Sequence, residues 1–233
     1  MKKTPPNLLT KKMNPKIYPV IHFINKATAF SEIEKAQSCN ADGVFLISHL
    51  GNDEELLRIG LQAKEDFKEF PIGINLLSTK PIEAAKKAKL YGFPMLWGDS
   101  VGVDSNGVSA LGNEISSLSQ GISTPLFDVF ASVAFKYQQR EVNPVQAAKN
   151  AKKAGFIPVT SGSGTGSAPE LEKISSMYEG TGGLLGVASG MTPENIIQFA
   201  PFLSHVLVAT GIGIDDHRMD TGKLKDLIAN SKT

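Results

Sequence analysis

The stretch Gly43 to Leu76, GVFLISHLGNDEELLRIGLQAKEDFKEFPIGINL, decides the fold. It opens on one apolar run, Gly43 to Ile47, closes on another, Pro71 to Leu76, and carries a helical pattern between them. In Asp53 to Lys68, residues Leu56, Leu57, Ile59, Gly60 and Ala63 recur on one side among Glu54, Glu55, Arg58, Lys64 and Glu65. That is the period of an amphipathic helix. Asn52 or Asp53 is placed to cap its free N–H groups. Runs that are apolar throughout belong to strands buried on both faces, as in a parallel sheet covered by helices. The segment therefore reads as strand, helix and parallel strand.

The same unit recurs on both sides. Short runs that end in small or polar residues lie at Ile17 to Phe23, Phe93 to Trp97, Pro125 to Phe130, Phe156 to Thr160, Leu184 to Ala188 and His205 to Ala209, which brings the strands to eight. Pro81 and Pro144 open helices at a position that needs no N–H donor, ahead of slim faces made by Ala84, Ala85 and Ala88 and by Ala147, Ala148 and Ala151. Pro169 and Pro193 open two more, with Glu170 and Glu194 in the first turn, where the helix dipole favours negative charge. Val101 to Gly121, rich in Gly and Ser, reads as a long, mobile loop with a short helical piece around Asn113 to Leu118.

Eight such units in 233 residues, with no linker-like break in composition, predict a (β/α)8 TIM barrel over residues 15–233. Residues 1–14, basic and carrying Pro5 and Pro6, read as a flexible arm. An open doubly wound sheet is the alternative. It would place a glycine fingerprint for dinucleotides after the first strand, where His22, Phe23, Ile24 and Asn25 stand instead.

Composition narrows the partners. An apolar fraction of 41% against 20% charged residues supplies a full core, and 24 Lys and Arg against 23 Asp and Glu leave a net charge of +1. Such a balance gives no broad field to draw in nucleic acid or an anionic membrane. No apolar run approaches the roughly 20 residues that cross a bilayer, and the start lacks the apolar core of a signal peptide. The single cysteine, Cys39, forms no internal disulfide, and no Cys/His spacing marks a structural zinc. A soluble, cytoplasmic protein is expected.

In a barrel the C-terminal strand ends share one mouth. That set is His22, Ser48, Asn75, Asp99, Asp128, Thr160, Ser189 and Thr210, every member polar. Glycines cluster after the last three strands: Gly162, Gly164 and Gly166 with Thr165, then Gly190 beside Ser189, then Gly211 and Gly213 after Thr210. Such loops turn N–H groups inward and suit a phosphate, a ligand that barrels commonly hold between the loops after strands seven and eight. Tight turns without a ligand are the alternative. The Ser161 to Ser167 run lacks the lysine of a P-loop and reads instead as a flap over a bound ligand.

His22, Asn75, Asp99 and Asp128 are the candidates for acid, base and hydroxyl work. Two carboxylates also suit a water-bridged divalent cation, but they have no diagnostic spacing, so no metal or cofactor is assigned. Asp128 has a second reading as partner of Lys136 or of a backbone amide. Lys136, between Phe135 and Tyr137, is placed to bind an anion or carbonyl, or to be an ordinary surface lysine. Trp97 either packs in the core or offers its face to a planar group.

Five segments resemble the BtpA family, named for a protein linked to photosystem I biogenesis and placed among the phosphate-binding TIM barrels. They are Pro19 to His22, Pro71 to Leu77, Phe127 to Val129 with Lys136, Val159 to Gly162 with Thr165 and Gly166, and Val187 to Asn195. The resemblance runs from about Ile17 to Leu227. It implies a barrel of ribulose-phosphate-binding type, cytoplasmic and capable of forming a homo-oligomer, with His22, Asn75, Asp128, Lys136, Thr160, Gly162, Ser189 and Gly190 in the family pattern. Ser48 replaces a glutamate of that pattern, and Ser78-Thr79-Lys80 replaces an Arg-Asn-Asp-like stretch.

The resulting expectation is an enzyme acting on a small phosphorylated sugar or nucleotide-like substrate, by N-glycosidic hydrolysis or sugar-phosphate isomerisation. A silent barrel that binds a ligand or protein is the rival, motivated by Ser48.

Overall fold

A computed structural model describes residues 14–232, so nearly all of the expected N-terminal arm lies outside the described residues. Eight parallel strands close into a ring: β1 (Lys16–His22), β2 (Val44–Ile47), β3 (Ile72–Asn75), β4 (Met95–Gly98), β5 (Asp128–Ser132), β6 (Ile157–Thr160), β7 (Gly186–Val187) and β8 (His205–Val208). Sequence neighbours pair all the way round, and β1 pairs with β8 in the register Lys16 to His205. Helices α1 (Lys26–Ser38), α2 (Asp53–Asp66), α3 (Pro81–Tyr91), α4 (Ala110–Ser119), α5 (Pro144–Lys153), α6 (Leu171–Thr181), α7 (Ile196–Phe199) and α8 (Thr221–Asn230) follow the strands in turn. The open-sheet alternative is excluded, since the ring has no edge.

Two apolar layers result from the alternation of side chains along each strand. Inside the ring, Tyr18, Phe45, Met95, Trp97, Phe130, Ile157, Val159 and Leu207 pack together. Phe45, Phe130 and Tyr18 meet edge to face at 5.0 to 5.8 Å between ring centres, a favoured arrangement of aromatic quadrupoles. Outside it, the predicted faces of α2, α3 and α5 are all buried against the sheet.

Several boundaries differ from the sequence expectation. The fifth strand runs from Asp128 to Ser132, not from Pro125 to Phe130, because Ser123 to Leu126 belong to a turn closed by a Gln120 to Pro125 bridge. The Val101 to Gly121 region is more ordered than expected. A two-stranded hairpin pairs Val103 with Val108 and Asp104 with Gly107, and the full-length α4 follows, capped by the Ser109 side chain. Asn52 makes no side-chain cap to α2, since its Oδ1 accepts from the Ser48 hydroxyl instead. α6 begins at Leu171, two residues after Pro169. α7 is a single turn that starts after Asn195, itself joined reciprocally to Thr192.

Candidate active site at the barrel mouth

The C-terminal strand ends open into a cavity of about 1450 Å³. Its lining includes His22, Asn75, Asp99, Lys136, Thr165, Ser189, Gly190, Thr210 and Gly211, so nine of the expected residues line one cavity. Asp128, Thr160, Gly162, Gly213 and Ser48 do not line it.

Asp128 is the main correction. It opens β5 next to Met95, the first residue of β4, and so lies at the floor of the barrel beside Lys16 and Tyr18. Its inward parity is that of Phe130 and Ser132, but at about 3.3 Å per residue it sits about 13 Å below the mouth. Ser132 takes the place that Asp128 was expected to fill. Thr160 faces away from the interior and donates its hydroxyl to the Ala134 carbonyl at 3.0 Å. Gly213 borders a separate, smaller cavity behind the loop after β8.

Around Asp99 the polar network is continuous. The Trp97 indole N–H donates to Ser132 Oγ at 2.9 Å, and Ser132 Oγ donates to Asp99 Oδ1 at 3.1 Å. Trp97 is thereby held in the core, edge-on to Phe45 and Phe135, and serves as an anchor. The Gln138 amide donates to the carbonyls of Asp99 and Ser132, which fastens the loop after β5 to the end of β4. Burial pushes the Asp99 carboxyl above the usual carboxylate range, against the opposing pull of Ser132, Lys136 and His49.

Lys136 lies across from it. Burial holds its ammonium below the usual lysine range, against the attraction of Tyr137 and Asp99. Its backbone N–H donates to Ser161 Oγ at 2.7 Å and its Nζ approaches Thr165 Oγ1 at 3.5 Å. Two residues of this loop, Ala134 and Tyr137, sit at φ 49° and 64°, a region that non-glycine residues rarely adopt. Lys173, reaching in from α6, donates to the carbonyls of Ala134 and Ser161 at 2.8 and 2.9 Å and braces that conformation. No periodicity or motif signalled Ser132, Gln138 or Lys173, because their roles depend on where loops meet.

His22 packs edge-on to His49 with ring centres 5.2 Å apart. Burial first, then His49 and His217, lower its pKa, so it stands in the mouth as a neutral imidazole. Asn75 is only 2% exposed, and its side-chain Nδ2 has no hydrogen-bond partner. A buried amide without a partner carries a desolvation penalty that a ligand oxygen removes.

The glycines are also required by the packing of neighbouring backbone. A Cβ built on Gly162 falls onto the Ser167 carbonyl, one on Gly190 onto the Ala168 nitrogen, and one on Gly211 onto the Met191 carbonyl. The three loops therefore nest backbone against backbone, and Ser189 Oγ adds a bond to the Gly164 carbonyl at 2.8 Å. Among the described residues, the Gly190 and Gly211 N–H groups have no protein acceptor. Among the same residues no group of His, Cys, Asp and Glu is arranged to hold a metal. None of their helices is long and apolar enough to cross a membrane.

No family model matches the chain, BtpA included, and no curated protein matches it. Solved structures do. KGPDC from Streptococcus mutans in complex with D-R5P superposes with a TM-score of 0.69 at 12% identity, over 94% of this chain and 98% of that one. A 3-keto-L-gulonate-6-phosphate decarboxylase from Vibrio cholerae gives 0.66 at 12%, over 93% and 98%. Phosphoribosyl anthranilate isomerase from Thermus thermophilus gives 0.65 at 12%, over 92% and 97%. The likeness is one of fold, a closed (β/α)8 barrel.

Proposed function

We propose that the protein is an enzyme that moves a proton on a small phosphorylated sugar bearing a carbonyl group. The observation that carries this reading is the convergence, in the lining of one cavity, of Asp99, Lys136 and the unpartnered Asn75 amide with Gly190 and Gly211, whose N–H groups have no acceptor among the described residues. The loops after β7 and β8 are where barrels of this kind hold phosphate. Asp99, with its pKa raised toward neutrality, is the base that takes a proton from the carbon beside the carbonyl. Lys136 and Asn75 steady the negative charge that develops on the carbonyl oxygen. Phosphate binding at the far end fixes the sugar between them.

Sugar-phosphate isomerisation fits this arrangement better than N-glycosidic hydrolysis. The hydrolytic reading needs an acid to activate water and an aromatic ring facing the base, and both ring candidates, Trp97 and Phe23, are buried, the Trp97 indole held by Ser132. The rival of a silent barrel loses its motive as well, since Ser48 is turned to Asn52 and lies outside the cavity wall. The reading does not depend on BtpA membership.

Incubating the protein in D₂O with a panel of aldose and ketose phosphates, followed by proton NMR, tests it. Deuterium should enter at the carbon next to the carbonyl, and Asp99→Asn should slow that entry by about 10²–10⁴-fold. A panel without exchange, or exchange unchanged in Asp99→Asn, overturns the reading. A second reading follows from the place of Lys136 in the cavity lining, where burial lowers its pKa and so favours loss of the proton: the free amine adds to the carbonyl and expels water to form a Schiff base. Borohydride reduction then leaves a stable adduct on Lys136, visible by mass spectrometry.

A further inference from the structure

The cavity is larger than the reaction just described needs. Pockets for small ligands run to about 300–1,000 Å³, and this one reaches about 1450 Å³ because its wall continues beyond the strand ends. The extension is formed by the Val103 to Val108 hairpin on one side and the loop from Tyr137 to Asn143 on the other.

That extension is a built wall. Glu141 accepts from the Ser105 N–H at 3.2 Å, and the Asn150 amide donates to the Asp104 carbonyl at 2.8 Å, so hairpin, loop and α5 are tied together. Gln138 fixes the near end of the loop to Asp99 and Ser132, and the Tyr137 hydroxyl meets Thr165 Oγ1 at 3.3 Å across the mouth. The ring of eight strands closes without any of these contacts. Val103, Val108 and Leu111 give this region partly exposed apolar surface. Arg140 also lines it and, among the described residues, forms no ion pair and no hydrogen bond to protein.

From this we infer a second subsite for a flat ring attached to the sugar phosphate, with apolar faces against the valines and leucine and with paired acceptor atoms toward Arg140. The inference rests on the proposed sugar-phosphate reading and narrows its substrate class to a carbonyl-bearing sugar phosphate that also carries a planar heterocycle; a nucleoside 5′-monophosphate, whose ribose has no free carbonyl, is a binding probe for the two subsites and not the substrate. A guanidinium matches two adjacent acceptors with its fork of N–H groups, as it does with O6 and N7 of guanine.

Calorimetric titration with ribose 5-phosphate and with guanosine 5′-monophosphate tests the subsite. Guanosine monophosphate should bind at least tenfold tighter than ribose 5-phosphate. Arg140→Glu, at an exposed position, should remove that advantage and leave the affinity for ribose 5-phosphate within about twofold, which also reports that the variant is folded. Equal affinities in the natural protein, or an advantage that survives in Arg140→Glu, overturn the subsite alone. Absence of binding by either ligand overturns the phosphate reading and the subsite with it.

Discussion

His205 shows how one side chain sets a pH limit on the whole fold. It opens β8 at the floor of the barrel, stacked 6.1 Å from Tyr18 and edge-on to Phe130, with its Nδ1 bonded to the Ser204 hydroxyl at 2.8 Å. Burial lowers its pKa from 6.5 to about 4, with a smaller contribution from Lys16. The folded pKa lies below the unfolded one, so its stabilising contribution is complete above pH 6.5 and is lost as the pH falls toward 4. Urea unfolding should show about 2 kcal/mol less stability at pH 5 than at pH 7 from this residue, and His205→Asn should flatten that part of the profile. At the mouth, Asp99 is raised and Lys136 is lowered, both by burial. A reaction that needs an ionised Asp99 and a charged Lys136 should therefore have a bell-shaped kcat/KM profile, its acid limb above and its alkaline limb below the ordinary carboxylate and lysine ranges. Replacing Asp99 should abolish the acid limb together with most of the rate.

At the scale of elements, the loops after β6, β7 and β8 form a stack in which glycine is required by neighbouring backbone. Gly190 combines φ 68° with a Cβ position occupied by Ala168, so Gly190→Ala should destabilise the fold by about 2–4 kcal/mol in chemical denaturation. Gly164 has only the Ser167 hydroxyl, at 3.9 Å, near its Cβ position, and Gly164→Ala should change stability by less than about 1 kcal/mol. This contrast also shows what sequence conveys at this level. The eight strands and most helix starts were legible, since continuous apolar runs and the prolines at 81 and 144 act locally. The error at β5 arose because Phe127 is apolar and buried yet precedes the strand, which moved every assignment there by two or three residues. It sent Asp128 to the wrong end of the barrel and hid Ser132. The hairpin after β4 was missed for a different reason: its pairing is two residues long and its wall is fixed from α5 and from the loop after β5, at a distance in sequence.

In the molecule as a whole, the apolar filling and the polar mouth occupy opposite ends of one ring. The interior is filled below the mouth by Tyr18, Phe45 and Phe130, and the polar network begins where the Trp97 indole meets Ser132. Phe130 is fully buried and touches the rings of Tyr18, Phe45 and His205. Phe130→Ala should remove about 3–5 kcal/mol, read as a shift in the denaturation midpoint. Because Tyr18, Phe45 and Phe130 do not themselves line the mouth cavity, ligand affinity measured well below the transition should stay near that of the natural protein.

The nesting of three loops also bears on how a substrate arrives. The sequence suggested a glycine-hinged flap over the mouth; of its glycines, Gly162 is pressed against the Ser167 carbonyl, whereas Gly164 and Gly166 have room around their Cβ positions. Opening this side of the entrance would shift Gly162, Gly190 and Gly211 as one slab. Entry would then be governed where the loop after β5 meets the tip of the loop after β6, with the Tyr137 hydroxyl against Thr165 Oγ1 at 3.3 Å and accepting from the Thr165 N–H at 3.4 Å, and Tyr137→Phe should speed ligand arrival and departure together while leaving their ratio nearly constant.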